Sequence, residues 1–350
     1  MGQIYQSWGP EGFRSYSVEW GEGGPIFEST GQIGREYLIP GFVDLHLHGA
    51  YGIDTMSATA EQFEALARGL SHAGYEGFLA TTATASVASV KEVLNRLPSD
   101  PEILGLHLEG PFISRDYPGA QQAADIEDAP SGPSDWDSVL EDPRLKVVTL
   151  APEGPHALDL VSRLMKRGVI VSLGHTAATY DEARRAFEFG ASHATHFFNA
   201  MRPMHHRELG IIGYALSTGN LTCELIYDRL HVSREAVGML LKLIGPDKVI
   251  AVSDSTAATA MPPGETIDLW GNEVTIEKGR AVLADGTLAG SVITLQEAFA
   301  NLANDFGPEI AIQLCCLNPR KALKMTNRPT VWAVLDQQFK LVEVKRFSAS

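Results

Sequence analysis

A short and largely apolar stretch near the start of the chain, PGFVDLHLHGA, spans residues 40–50. Its apolar run carries two histidines, His46 and His48, one residue apart, and Gly41 and Gly49 flank the run. In a β-strand, residues i and i+2 point to the same face. Both imidazoles therefore project the same way, a placement that suits the binding of one ion and also suits a polar network inside a core.

Seven further stretches of similar character follow along the chain. They are rich in Val, Ile, Leu and Thr, and most are continuous apolar runs rather than clean alternations, as parallel strands covered on both faces are. With the first stretch, they occupy residues 41–49, 77–84, 102–110, 146–153, 169–175, 192–198, 221–228 and 248–254. Segments of helical character lie between most of them, among them 58–74, 155–168, 179–190, 233–245 and 291–305, and Ser233 is a plausible N-cap.

This alternation of strands and helices predicts an α/β protein, a (β/α)8 TIM barrel. We expect the barrel over residues 42–324. The two ends, residues 1–41 and 325–350, show short alternations of polar and apolar residues and predict a small β-sandwich subdomain beside it. The connections at 114–135 and 255–290 are longer than usual loops, which in compact enzymes are often functional.

Composition narrows the classes of function. The chain has 350 residues, is 44% hydrophobic and 20% charged, and carries a formal net charge of −15 without any basic run. Nucleic acids and anionic membrane surfaces need positive patches and are therefore not expected as partners. No apolar run approaches the roughly 20 residues of a membrane-spanning helix, and no secretory signal is visible. The three cysteines, two of them adjacent, predict reduced thiols in a cytoplasmic protein.

Six side chains capable of metal chemistry fall at the predicted carboxyl ends of strands, where this barrel carries its catalytic residues. They are His46, His48, Glu109, His175, His196 and Asp254. Each alone is more often structural, but a structural role explains the whole set poorly; for His107 and His193 the structural role stands. Imidazole and carboxylate groups bind zinc, and also iron or manganese, so the set predicts a bound divalent ion, with zinc first. Such an ion lowers the pKa of bound water towards about 7.

The sequence resembles the amidohydrolase superfamily, and within it the N-acetylglucosamine-6-phosphate deacetylases. The matching motifs run through the whole barrel in the order of the family, and HLEGPF with the H-x-FNAM run is the specific part. They are PGFVDLHLHG, GLHLEGPF (105–112), LGHTAA (173–178), THFFNAM (195–201), RELG (207–210), DRLHV (228–232), SD (253–254), DGTLAGSVIT (285–294) and NPRKAL (318–323).

The resemblance implies a role for each matching residue. Glu109, His175 and His196 correspond to the principal metal ligands, and the His46 and His48 pair to ligands that hold a second ion in some members. Asp254 corresponds to the catalytic base and acid, and His231 to a residue that polarises the acetamide carbonyl. The implied substrate-binding residues are Ala120, Gln121, Asn199, Ala200, Asp228, His231, Leu288, Ala289 and Gly290, with Arg207 reaching the phosphate from the neighbouring subunit of a homodimer.

The function implied is removal of the acetyl group of N-acetylglucosamine 6-phosphate by metal-activated water. One departure bears on the sugar: Pro118 and Gln121 stand where the family carries a lysine and a sugar-contacting histidine. N-Acetylgalactosamine 6-phosphate or a related amino sugar is therefore an alternative substrate. A cyclic-amide hydrolase of the dihydroorotase type typically needs a carboxylated lysine, and none lies in 102–113. A non-catalytic sugar-phosphate sensor should have lost ligands that this chain retains.

Overall fold

The computed structural model of the protein describes residues 2–277 and 279–348. In chain order its strands are β1 Gln3–Gly9, β2 Gly12–Gly21, β3 Gly24–Ser29, β4 Glu36–Pro40, β5 Phe42–Leu47, β6 Gly49–Ala50, β7 Ile53–Asp54, β8 Tyr75–Thr82, β9 Ile103–Glu109, β10 Leu145–Leu150, β11 Ile170–Leu173, β12 His193–Ala194, β13 Thr222–Ile226, β14 Val249–Val252, β15 Thr266–Leu269, β16 Asn272–Glu277, β17 Arg280–Val282, β18 Val331–Leu335 and β19 Leu341–Arg346.

The helices fill the connections between strands. They are α1 Ala60–His72, α2 Val87–Arg96, α3 Asp137–Leu140, α4 Ala157–Lys166, α5 Tyr180–Phe189, α6 Gly210–Thr218, α7 Arg234–Ile244, α8 Leu295–Phe306, α9 Pro308–Ile312 and α10 Asn318–Ala322. Within the described ranges, none combines the length and the apolar composition that a bilayer crossing requires.

Eight parallel strands form the barrel in the order β5, β8, β9, β10, β11, β12, β13 and β14. All eight stretches predicted as barrel strands overlap these elements, so the predicted barrel is confirmed. The seam lies between β5 and β14, where the backbone N–H of Asp254 donates to the carbonyl of His46 (2.9 Å) and that of His48 donates to the carbonyl of Ser255 (2.8 Å). Closing the barrel therefore brings the two histidines of the first strand beside Asp254.

Polar caps fix where helices begin after the strand-end loops. The Ser233 hydroxyl accepts a hydrogen bond from the backbone of Ala236 (3.3 Å), which confirms the predicted N-cap of α7. At α5, the Thr179 hydroxyl accepts from the backbone of Glu182 while the Glu182 carboxylate accepts from the backbone of Thr179, a capping box. Each such cap satisfies N–H groups left free at a helix start and so helps to fix the loop before the helix.

The two chain ends meet in one six-stranded sheet with the order β19, β18, β4, β1, β2 and β3. Strand β4 pairs with β18 from the other end of the chain and continues at Gly41 into β5. Tyr5, Tyr16 and Trp332 fill the core of this sheet. The predicted terminal β subdomain is thus present. The domain limits 1–41, 42–324 and 325–350 stay a prediction, and residues 1, 278, 349 and 350 lie outside the described residues.

The long connection at 255–290 is not an irregular loop throughout. Strands β15, β16 and β17 form a three-stranded antiparallel sheet within it. This small sheet has an apolar core of its own that includes Leu269, Val274 and Ile276. Because the connection follows β14, the small sheet stands at the mouth of the barrel, beside Asp254.

Candidate metal centre and active site

The carboxyl ends of the barrel strands gather all six predicted residues at one mouth. His46 lies inside β5 and His48 just after it, while Glu109 is the last residue of β9. His175, His196 and Asp254 follow β11, β12 and β14. These last three have left-handed backbone, with φ of 47°, 30° and 49°. Residues other than glycine adopt this conformation at a cost, and such residues cluster at active sites.

One group of potential ligands, the Glu109 cluster, consists of Glu109, His175 and His196, all buried. The Glu109 Oε1 atom lies 3.1 Å from His196 Nε2 and 3.3 Å from His175 Nε2. The two Nε2 atoms are 3.0 Å apart. Ligands at about 2.0–2.1 Å from a tetrahedral zinc ion lie about 3.3 Å from one another. The spacing of this cluster fits that geometry.

A second group, the HxH cluster, consists of His46, His48 and Asp254. The Nε2 atoms of its histidines are 3.2 Å apart, and Asp254 Oδ1 lies 3.3 and 3.4 Å from them. Glu109 belongs to both neighbourhoods, because its Oε2 atom lies 3.2 Å from His48 Nε2. One carboxylate therefore stands between the two clusters and is placed to contact ions in both.

Hydrogen bonds alone do not explain these contacts. When two Nε2 atoms face each other at 3.0–3.2 Å, at most one proton can lie between them, and each ring also faces a carboxylate oxygen. A cation satisfies all of the lone pairs at once, and imidazole with carboxylate is a donor set suited to zinc, iron or manganese. The residues present therefore fit one or two divalent metal ions.

The far sides of two candidate ligand rings are held by hydrogen-bond acceptors. His46 Nδ1 lies 3.2 Å from Glu224 Oε2, and His175 Nδ1 lies 3.0 Å from the carbonyl oxygen of Tyr117. An N–H donated in this way leaves the Nε2 lone pair free for a metal. Sequence reasoning missed Glu224, and its only signal was a carboxylate inside an apolar strand, β13, where the residue is buried.

Both carboxylates of the mouth are held in the ionised form. Burial raises the pKa of Glu109, but the charge of His46 and hydrogen bonds from His175 and His196 outweigh it and lower the pKa well below the usual range. Burial also opposes ionisation of Asp254, yet the charge of His46 and a hydrogen bond from His48 lower its pKa to about 2. At neutral pH each is therefore an anion, able to bind a cation or to accept a proton.

A cavity of about 250 Å³ opens over the two clusters. His231 lines it and is fixed from behind, because its Nδ1 lies 2.7 Å from Asp228 Oδ2. The predicted residues that line the cavity are His48, Glu109, Ala120, Gln121, His175, His196, Asn199, Ala200, His231, Asp254, Leu288 and Gly290. Ile226, Trp270 and Thr287, which sequence reasoning missed, line it as well.

Four predicted residues lie outside that lining. His46 and Ala289 are buried beneath it, and Asp228 stands behind His231. Arg207 is exposed, with its guanidinium Nη1 2.9 Å from His206 Nε2. The assignment of Arg207 to a neighbouring subunit stays a prediction, and so does the direct substrate contact expected of Asp228.

Gln121 has a further contact that its sequence position did not suggest. Its Nε2 donates to Glu109 Oε2 (2.5 Å), and its Oε1 accepts from the backbone N–H of Thr84 (2.6 Å). The amide thus orients the carboxylate that stands between the two clusters. One N–H of the Gln121 amide remains for a substrate hydroxyl in the cavity.

Comparison with known proteins points to one family. Residues 37–328 match the profile described as "Amidohydrolase family". The chain is 36% identical over 302 residues to the N-acetylglucosamine-6-phosphate deacetylase of Lysinibacillus sphaericus, covering 84% of this chain and 78% of that protein. It is 32% identical over 308 residues to the N-acetylgalactosamine-6-phosphate deacetylase of Escherichia coli O157:H7, covering 85% and 81%.

A solved structure shares the fold over nearly the whole chain. It is a mutant of the N-acetyl-D-glucosamine-6-phosphate deacetylase of Mycobacterium smegmatis, in complex with N-acetyl-D-glucosamine-6-phosphate. The superposition has a TM-score of 0.84 at 29% identity and covers 95% of this chain and 93% of the other.

Proposed function

Since this chain belongs to the amidohydrolase family, we propose that it is a metal-dependent hydrolase that deacetylates N-acetylglucosamine 6-phosphate, giving glucosamine 6-phosphate and acetate. The observation that carries the proposal is the convergence of four imidazoles and two carboxylates at 3.0–3.4 Å at one barrel mouth. Similarity to proteins named as deacetylases of hexosamine phosphates supports the choice of substrate.

An amide is a poor electrophile, so its hydrolysis needs activated water, a polarised carbonyl and a proton for the leaving nitrogen. The Glu109 and HxH clusters would hold the metal, which would supply a lowered pKa for water and a positive charge near the amide carbonyl. Asp254, an anion at the edge of the cavity, takes the proton of the attacking water and passes it to the leaving nitrogen. His231 donates its Nδ1–H to Asp228 and, in its doubly protonated form, its Nε2–H to the carbonyl oxygen, where negative charge develops. The Asp228 carboxylate orients His231 for this task.

The phosphate needs local positive charge in a chain with a net charge of −15. Asn199 and Ala200 line the cavity and are proposed to cradle the phosphate. Arg207 is exposed and absent from the lining of its own cavity, as expected of a residue that reaches a second subunit. Its planar guanidinium matches phosphate geometry. The active form is therefore proposed to be a homodimer.

Zinc is the proposed metal, with iron and manganese as alternatives, and both clusters together offer room for one or two ions. The proposed compartment is the cytoplasm. Cys223, Cys315 and Cys316 are all free and buried, which suits a reducing environment.

A second candidate substrate is N-acetylgalactosamine 6-phosphate. Gln121 stands where similar deacetylases carry a histidine, and its amide donates a hydrogen bond to Glu109. Its contact with the sugar therefore differs in charge and in reach from the contact that a histidine would make. Similarity to a protein named as an N-acetylgalactosamine-6-phosphate deacetylase favours the same alternative.

The test is to incubate the metal-loaded protein with the 6-phosphates of N-acetylglucosamine, N-acetylgalactosamine and N-acetylmannosamine and to measure released acetate. The highest kcat/KM is expected for the glucosamine derivative. A preference for the galactosamine derivative would establish the second candidate. Acetate release from none of the three, with metal bound, would refute a hexosamine-phosphate deacetylase.

A further inference from the structure

The hairpin between β15 and β16 turns at the edge of the candidate active site. Leu269 pairs with Asn272, so Trp270 and Gly271 make the turn alone. Both have left-handed backbone, with φ of 57° and 81°. Two-residue hairpin turns favour this conformation, but a tryptophan adopts it at a cost. A bulky residue in such a position is a reason to ask what its side chain does.

The indole of Trp270 is fixed at the wall of the cavity. Its Nε1–H donates to Asp54 Oδ2 (3.0 Å). Its ring packs against the imidazole of His48, with centroids 4.8 Å apart and planes at 60°. The backbone carbonyl of Trp270 accepts a hydrogen bond from the side chain of Gln122. Side chain and backbone are therefore both held, and the indole is a rigid surface next to the HxH cluster.

The hairpin is also tied to two segments that line the cavity. Asn272 Nδ2 donates to the carbonyl of Ala120 (3.3 Å), which joins the turn to the segment before Gln121. Ala289, next to Leu288 and Gly290 of the lining, packs in the same apolar core as the small sheet. The position of Trp270 relative to a bound substrate is thus set by packing and hydrogen bonds together.

We propose that Trp270 determines acyl-group specificity by packing against the methyl group of the substrate's acetamide and limiting the length of the acyl chain. The proposal rests on the proposed function. For hydrolysis, the amide carbonyl must lie beside the metal ligands and Asp254, and the acetyl methyl is one bond from that carbonyl carbon. Trp270 lines the same cavity as His48 and Asp254 and is in contact with His48, and its indole offers the apolar surface that a methyl group at this end of the amide would pack against.

The experiment compares the wild type with Trp270→Ala, Trp270→Phe and the control Trp20→Phe, which alters a tryptophan of the terminal sheet. The substrates are glucosamine 6-phosphates carrying N-acetyl, N-propionyl and N-butyryl groups, and the release of free amine gives kcat/KM for each. The wild type is expected to prefer acetyl. Trp270→Ala should raise the butyryl-to-acetyl ratio of kcat/KM by about 10-fold or more, since each methylene in a pocket is worth about 10- to 200-fold. Trp270→Phe should raise it less, and Trp20→Phe should leave it unchanged.

Bound metal per chain is measured in every variant, because Trp270 touches His48. An unchanged butyryl-to-acetyl ratio in Trp270→Ala with normal metal content would overturn the proposal. A change among hexosamine epimers without a change in that ratio would also overturn it and would assign the indole to the sugar ring. If the alanine variant does not fold, the ratio in Trp270→Phe decides. A wild type that releases no amine from any substrate would overturn the proposed function itself.

Discussion

Six histidines in the described part of the chain are buried in the barrel, and they form two groups that burial does not distinguish. The mouth histidines are His46, His48, His175 and His196; the interior histidines are His107 and His193. The Nε2 atoms of the mouth histidines face carboxylate oxygens and one another. The interior histidines face hydroxyl groups: His107 Nε2 lies 2.8 Å from Thr149 Oγ1, and His193 Nδ1 lies 2.9 Å from Ser192 Oγ.

The partner of each ring sets its chemistry. Burial lowers the pKa of His193 to about 4, with a smaller contribution from Lys248. Burial and the charge of His46 lower the pKa of His107 well below its usual value. Both interior rings are neutral, and a hydroxyl suffices as a partner for a neutral ring. At the mouth, by contrast, the partners of the histidine rings are ionised carboxylates. The kind of partner, rather than burial, distinguishes a candidate metal ligand from a histidine of the core.

The contrast between the mouth histidines and the interior histidines is tested most severely by removing a carboxylate from the mouth. Asp254→Asn keeps the size of the side chain but removes the group proposed to carry the proton. We expect kcat to fall by about 100- to 10,000-fold, the range for loss of a general acid–base group. Acetate release from N-acetylglucosamine 6-phosphate measures the effect.

Metal content provides the control for Asp254→Asn. The Glu109 cluster is intact in this variant, so metal bound at Glu109, His175 and His196 should remain, as measured by elemental analysis. Near-normal turnover would contradict the role of Asp254 as proton carrier. Loss of all metal together with activity would show that Asp254 acts as an essential ligand instead.

A smaller effect is expected for Glu224, which contacts the far side of the His46 ring. Glu224→Gln retains the shape of the residue but removes the charge that faces His46 Nδ1. Partners of this kind typically contribute 10- to 100-fold to metal affinity. We expect metal affinity at the HxH cluster to fall by this factor, measured by competition with a chelator, and the exposed Glu235→Gln to serve as the matched control. Unchanged metal affinity in Glu224→Gln would show that Glu224 does not support metal binding.

Much of the fold was predictable because parallel strands have a strong local signature. The run FVDLHL in residues 42–47 and the run VIAV in 249–252 are apolar enough to identify buried strands, and strand direction then places their ends at one mouth. The small sheet of β15–β17 was missed. Its strands alternate polar and apolar residues, as in NEVTIE at 272–277, and such exposed strands differ from the apolar runs used to find the barrel.

The candidate ligands were predictable for the same reason, since residue type and strand end coincide at Glu109 and Asp254. Glu224 and Trp270 were not. The partner of Glu224, His46, is 178 residues away in the chain, and the contact of Trp270 with His48 depends on a hairpin that folds back over the barrel. A local sequence pattern does not predict such pairings, because they form only when distant segments of the chain pack together.

The smallest effect on activity is expected at His193, an interior histidine whose partner is a hydroxyl group and not a carboxylate. His193→Gln should leave kcat/KM within about two-fold but change the pH dependence of stability. A pKa of about 4 in the folded chain against about 6.5 in the unfolded chain means that the unfolded state binds more protons between these values. The stabilising effect of a neutral His193 is therefore complete above pH 6.5 and is lost as pH falls towards 4.

Urea unfolding at pH 7.5 and at pH 5 measures this change. Linkage predicts that the wild type loses about 2 kcal/mol more than His193→Gln between the two pH values. Other titrating groups are common to both proteins and cancel in the difference, and the exposed His72→Gln should behave as the wild type does. Equal losses in wild type and His193→Gln would show that His193 titrates normally, and partner type would then no longer separate the two groups of histidines. A large loss of activity in His193→Gln would instead extend the catalytic centre into the interior of the barrel.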